Sequence, residues 1–188
     1  VPATMAAGPR AFAAKAACVI VDFEGLKGFS SREVVANLGG RWPGLAAQRI
    51  GFPDMARGEV YPEVMARALE VPATRERLAT ALQGVAGPAR VIGLPAILGV
   101  HRPDRVHADL ERLTGLEIFE IPTMPPSVPG VRLRELLEQA LPKRGVTLIP
   151  QQRVTGLSFD GDGAAIGVPL WKKETMLDAF RELDPYRS

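Results

Sequence analysis

The sequence predicts an α/β layered domain with a mostly parallel or mixed central sheet flanked by helices, and a terminal hairpin. Three observations carry that prediction. Short continuous apolar runs of strand length recur at residues 17–23, 90–98 and 116–121, the signature of strands covered on both faces. Between them lie stretches with apolar residues at helical spacing, and strands alternating with helices fold into parallel βαβ units. The chain, at 188 residues with 46% apolar and 23% charged residues, has the size and composition of one ordinary globular domain.

Taken in order, residues 1–15 are rich in Ala, Gly and Pro, show no clear periodicity and lead into the first strand. That strand ends in DFEGLKGFSSRE at 22–33, where Ser30 and Glu33 form a capping box for a helix over 31–38. Strand, glycine loop and helix invite comparison with nucleotide loops. Neither G-x-G-x-x-G nor G-x-x-x-x-G-K-[ST] is present, because Leu26 and Lys27 stand between Gly25 and Gly28. Lys27 lies at the carboxyl end of a strand, where open α/β sheets place ligands, and is a candidate anion contact or a solvated loop lysine.

Residues 45–52 read as a second strand or an extended segment. Helices follow over 59–70, with Val60, Val64, Met65, Ala68 and Leu69 on one face, and over 74–85, with Leu78, Ala81, Leu82 and Val85 on one face. The strand at 90–98 is interrupted by Pro95, and Pro103 opens a helix whose Val106, Leu110 and Leu113 face inward. His101 falls at the strand end, a place for proton transfer or ligand contact and equally for an incidental loop histidine; His107 sits on the polar side of the helix.

The strand at 116–121 runs into the most informative stretch of the chain. Three prolines within residues 122–126 fix φ and restrict their neighbours, so the loop is preorganised. A helix opens at about Pro129, and its free N–H groups, the Ser127 hydroxyl and the Arg132 guanidinium make a constellation suited to a carboxylate or phosphate. A plain connection with a solvated arginine has the same residues. Leu133, Leu136, Leu137, Ala140 and Leu141 form the apolar stripe predicted to be buried, and Lys143, Arg144 and Gly145 end the helix. Residues 146–149 and 153–159 read as strands, the second entering a turn at 160–163 that lacks the Glu of a calcium loop. The tail, 164–188, carries an amphipathic helix with Met176, Leu177, Phe180 and Leu183 on one face.

The net charge of +2 and the even spread of basic residues argue against nucleic acid and anionic membrane. Five lysines among 23 basic residues suit a GC-rich genome. Cys18, the one cysteine, excludes a disulfide framework, and no metal-ligand set is evident; a reducing cytoplasm is the expected setting. No run of 18 apolar residues and no signal-peptide pattern occurs. The chain opens on Val1 with no initiator methionine, which points to an excised or trimmed segment.

Four stretches in the same order, VPATMAAG at 1–8, CVIVDFEGLKGF at 18–29, IGLPAILG at 92–99 and PTMPPSVPGVRL at 122–133, resemble the middle of the B subunit of anaerobic glycerol-3-phosphate dehydrogenase, an FAD-dependent oxidoreductase family. The resemblance implies that residues 1–163 are an inserted substrate or capping domain over a flavin, with 164–188 as a helical tail. It implies FAD in the parent protein, held mainly elsewhere because the pyrophosphate motif is absent here. It further implies a small phosphorylated or carboxylated alcohol oxidised by hydride transfer to flavin, with electrons leaving through partner subunits and any membrane reached only through such a partner. Thr123, Ser127, Gly130 and Arg132, with Lys27, would then contact the anionic substrate, His101 is the candidate proton-transfer group, and the fragment alone would be inactive. Two other functions fit the residues: a subunit-interaction module of a dehydrogenase complex, or a self-standing small-anion binding α/β protein.

Overall fold

In the computed structural model, which describes residues 2–55, 58–156, 158–162, 165–167 and 170–171, the first apolar run becomes β1 (Cys18–Phe23), buried along its whole length. Two units divide the chain, Val1–Leu137 and Glu138–Ser188. In the first, β1 is joined by β2 (Leu45–Ile50), β3 (Val91–Pro95) and β4 (Glu117–Ile121). The order is β2-β1-β3-β4 and every pairing is parallel, as the α/β prediction requires. The chain steps from β1 out to β2 and returns to the other side of β1, so the carboxyl ends of β1 and β3 flank a topological switch point.

The connecting helices cover both faces. On one lie α1 (Ala7–Ala14) and α2 (Ser31–Leu38), over a cluster of Cys18, Ile20, Trp42, Val91 and Phe119. The larger cluster, with Val21, Leu78, Leu82, Ile92, Leu110 and Ile118, packs α3 (Pro62–Ala68), α4 (Pro72–Ala86) and α5 (Pro103–Thr114) against the opposite face. Gly93 has a steric reason to stand mid-strand: a Cβ there would come within 2.7 Å of both the Ile20 and Phe119 side chains.

Several expectations are corrected. The lead-in segment is structured, as a short 3-10 helix over Ala3–Met5 followed by α1, with Pro9 tolerated in the first turn, where no helical N–H bond is lost. Val64 is 52% exposed, because the short α3 buries Met65 and Ala66, with Leu69 following just past its end. Residues 146–149 form no strand, and the predicted strand 153–159 is broken into β5 (Arg153–Val154) and β6 (Ser158–Phe159).

The largest correction concerns α6 (Val128–Ala140). Its inward face is Val128, Val131, Arg132 and Glu135, at i, i+3, i+4 and i+7: the valines pack with Ala66 and Val100, Arg132 pairs with Glu120, and Glu135 pairs with His101. That rotation turns the leucine stripe outward, leaving Leu133, Leu136 and Leu137 exposed at 58%, 63% and 41%.

In the second unit, β5 pairs antiparallel with β8 (Leu170–Trp171) and β6 with β7 (Ala165–Gly167). The latter pair is the predicted terminal hairpin. Its turn is ordered by the Asp162 N–H donating to Asp160 Oδ1 at 3.1 Å. The predicted tail helix lies outside the described residues. No helix among the described residues is long and apolar enough to cross a membrane.

Candidate functional site

The carboxyl edge of the sheet is organised by an acidic residue that strand patterning alone does not single out. Glu120, in β4, is fully buried and accepts four hydrogen bonds. They come from the Thr4 hydroxyl at 2.6 Å, the Leu98 N–H at 2.7 Å, and Arg132 Nη1 and Nη2 at 2.7 and 2.8 Å. Arg132 Nε donates to Gly99 O at 2.8 Å. One carboxylate thus ties together the N-terminal segment, the end of β3, β4 and α6. Thr4, Leu98, Gly99 and Arg132 belong to three of the four stretches that carry the family resemblance, which gives those stretches a shared structural task. The available signal was an ionisable residue inside a run predicted to be buried on both faces, which demands a partner.

Of the predicted substrate contacts, Arg132 is therefore committed in large part: three of its five N–H donors bond within the chain, and its side chain is only 14% exposed. Ser127 Oγ accepts from the Gly130 N–H at 3.4 Å, an N-cap arrangement that ties two more of the predicted residues to the start of α6. Thr123 differs. Its Oγ1 is buried and has no hydrogen-bond partner, an orphaned polar atom in the preorganised loop. Lys27 is exposed on the loop between β1 and α2.

Those two loops meet. A Cβ built on Gly28 would lie 3.9 Å from Met124 Cβ, and an open cavity of about 670 Å³ is lined by Gly28, Phe29, Ser30 and Glu33 from one side and Ile121, Pro122 and Met124 from the other. Lys27 and Thr123 sit next to lining residues. Arg132 instead borders a smaller cavity of about 250 Å³ with Thr4, Asp104 and Pro129. The predicted set is thus divided between two places.

His101 is 55% exposed, with Nδ1 3.1 Å from Glu135 Oε2, so an imidazole–carboxylate pair stands at the end of β3. His107, expected on the polar side of its helix, is half-buried instead, with Nε2 2.7 Å from Ile118 O.

Helix N-termini at the strand ends are the natural anion sites of this fold, and here the chain fills two of them itself. At α2, Asp22 Oδ2 accepts from the Ser31 N–H at 2.9 Å and its hydroxyl at 3.1 Å, while Arg49 binds both carboxylate oxygens from the neighbouring strand. Burial acts to raise the Asp22 carboxyl, but Arg49 and Ser31 outweigh it and hold it below the ordinary value, and Arg49 is raised in turn by Asp22. Ahead of α5, Glu70 Oε1 accepts the N–H groups of Val100, His101 and Arg102 at 2.9, 2.9 and 3.3 Å. Gly99, at φ +78°, lets the chain turn there, and a Cβ would press on that same oxygen at 2.8 Å.

Residues 2–184 match the family described as FAD binding domain. The B subunit of anaerobic glycerol-3-phosphate dehydrogenase from Aliivibrio fischeri strain ES114 is 39% identical over 110 residues, covering 57% of this chain and 24% of that protein. The B subunit from Pectobacterium atrosepticum is 30% identical over 172 residues, covering 85% of this chain and 40% of that protein. A probable B subunit of the same enzyme from Halobacterium salinarum is 36% identical over 110 residues, covering 58% and 25%. The chain therefore spans 24–40% of the length of these relatives. No solved structure matches it.

FAD is the cofactor of the family, and its pyrophosphate requires a glycine-lined nest of free N–H groups. The described residues do not fit that role. A Cβ on Gly25 would lie 1.8 Å from Gly58 O, so the glycine loop after β1 is packed against the chain's own backbone, and the amides at α2 and α5 already serve Asp22 and Glu70. This agrees with the missing G-x-G-x-x-G fingerprint. The match over nearly the whole sequence, together with relatives of one kind, places the resemblance beyond its four motifs: the chain belongs to the FAD binding domain family.

Proposed function

We propose that this chain is the substrate-side, capping part of an FAD-dependent dehydrogenase that acts on a small phosphorylated or carboxylated alcohol, with glycerol 3-phosphate as the first substrate to test. The observation that carries the reading is the meeting of two motif loops, 25–29 and 122–127, around an open cavity at the carboxyl edge of a parallel sheet. That edge is where sheets of this kind bind ligands. The chain's own contribution is position and charge. Lys27 supplies an exposed ammonium and Thr123 an unsatisfied hydroxyl, both suited to an anionic oxygen. The Glu120–Arg132 pair holds α6, and with it the end of the proline loop, at the edge of the sheet, and itself borders the smaller cavity rather than this one. His101 with Glu135 is the candidate for moving a proton.

The test is a chimera in which this chain replaces the matching segment of the Pectobacterium atrosepticum relative, assayed for glycerol 3-phosphate oxidation. Lys27→Met and Thr123→Val should each raise KM about tenfold, the loss of one hydrogen bond to a charged group. Values within twofold of the parent chimera would remove both residues from the substrate site. A second reading, a module that binds other dehydrogenase subunits, draws on the exposed leucines of α6.

A further inference from the structure

Helix α6 is seated the wrong way round for its sequence. Amphipathic helices bury their apolar stripe, yet α6 docks through Arg132 and Glu135 with two valines and presents Leu133, Leu136 and Leu137 outward. These leucines begin one residue after Arg132, the arginine of α6 that pairs with Glu120. The Arg132–Glu120 ion pair and the His101–Glu135 contact fix the rotation, so the stripe cannot turn inward without leaving the buried Glu120 carboxylate alone.

We infer that the leucine face of α6 is a docking surface for the flavin-binding body of the family, the part that supplies the pyrophosphate nest lacking among the described residues here. This rests on the proposed capping role. Two facts select that occupant. The strand-end amides of this chain are filled by Asp22 and Glu70, so a family member that binds FAD needs a second body packed on this one. The relatives are long enough to hold such a body: 60% of the Pectobacterium atrosepticum protein lies outside the matched 40%. The surface is contiguous in sequence with the loop that borders the candidate site, so one helix would both seal the apolar interface and hold the proline loop over the substrate. Apolar side chains clustered on one helix face, with charged residues beside them, have the composition of an interface core and rim.

The test uses Leu136→Cys and a maleimide. Cys18 is buried and its thiol is pushed up to about 12, so it stays silent and the new thiol reports alone. In the 188-residue chain the label should react at the rate of a free exposed thiol, independent of protein concentration. In the FAD-loaded chimera the reaction should slow at least tenfold, whether or not glycerol 3-phosphate is oxidised, which separates this inference from the choice of substrate. Equal rates in chain and chimera overturn it. Slow labelling in the monomeric chain shows the stripe covered internally, and protection that grows with concentration, with a dimer in sedimentation, assigns it to a second copy; each overturns it too. If the chimera does not load flavin, the flanking segments of the relative are co-expressed as separate polypeptides with this chain. Co-purification that the Leu133→Glu/Leu136→Glu variant abolishes supports the inference, and its absence refutes it.

Discussion

Replacing Glu120 by leucine is the most informative perturbation of this fold. The carboxylate is fully buried and partnered by Arg132, itself 14% exposed, so its removal leaves a largely desolvated guanidinium without a counter-charge. Breaking a buried pair in this way costs about 3–5 kcal/mol. The Leu98 N–H and Thr4 hydroxyl lose their acceptor at the same time, a penalty of about 1–3 kcal/mol that overlaps with the first rather than adding in full. For a chain of this length a loss of that size lowers the melting temperature by roughly 6–20 °C. The assay is chemical and thermal unfolding followed by circular dichroism, with Arg132→Leu and the double variant completing a cycle. Each single variant strands a charge and the double strands none, so the double should be at least about 2 kcal/mol more stable than additivity allows. A single-variant loss below about 1 kcal/mol, or strict additivity, would refute the claim that this pair holds the edge of the sheet together.

Two further outcomes follow from the titrating groups. Cys18, pushed up to about 12 by burial, should resist alkylation at pH 8 by about a thousandfold relative to the urea-unfolded chain, and stoichiometric labelling of the folded protein within minutes would contradict its buried position. Asp22 has a carboxyl held below its ordinary value when folded, so its contribution is complete above the unfolded value and is lost as pH falls through the folded one. Asp22→Asn should therefore destabilise the protein at pH 7 and shrink the further loss between pH 4 and pH 2; an unchanged acid slope in urea titrations would show that Arg49 and Ser31 do not hold the carboxylate.

The inner strands were legible because short apolar runs bounded by glycine and proline leave little alternative to buried parallel strands, and residues 17–23, 90–98 and 116–121 each contain an observed strand. The helix over 31–38 was equally plain, since the Ser30 cap marks its start and its hydroxyl does accept from Glu33 N–H. What pattern could not show was pairing across distance. Asp22 with Arg49, Glu70 with the amides of 100–102, and Glu120 with Thr4 and Arg132 join residues 12 to 116 positions apart. Each acidic partner reads locally as a charge in an apolar run or on a helix surface. The same blindness misplaced α6, where the leucine stripe argued for one rotation and two distant side-chain pairings imposed another.

The rotation of α6 can be weighed energetically. Three leucines left on average a little over half exposed forgo about 2–5 kcal/mol of burial. Turning them inward would carry Arg132 away from Glu120, at about 3–5 kcal/mol, and would part Glu135 from His101 and the two valines from Ala66 and Val100 as well. Within this chain the ionic seating wins, though by a margin comparable to the apolar surface it leaves open. A protein that covers the leucine face removes the conflict, since both the buried pair and the stripe are then satisfied at once. Binding at that face would also stiffen the helix that Ser127 caps and that carries Gly130 and Arg132. The candidate substrate loop and the docking surface are thus coupled through one rigid element, and a partner seated on Leu133, Leu136 and Leu137 would set the geometry at the carboxyl edge of the sheet without touching the substrate.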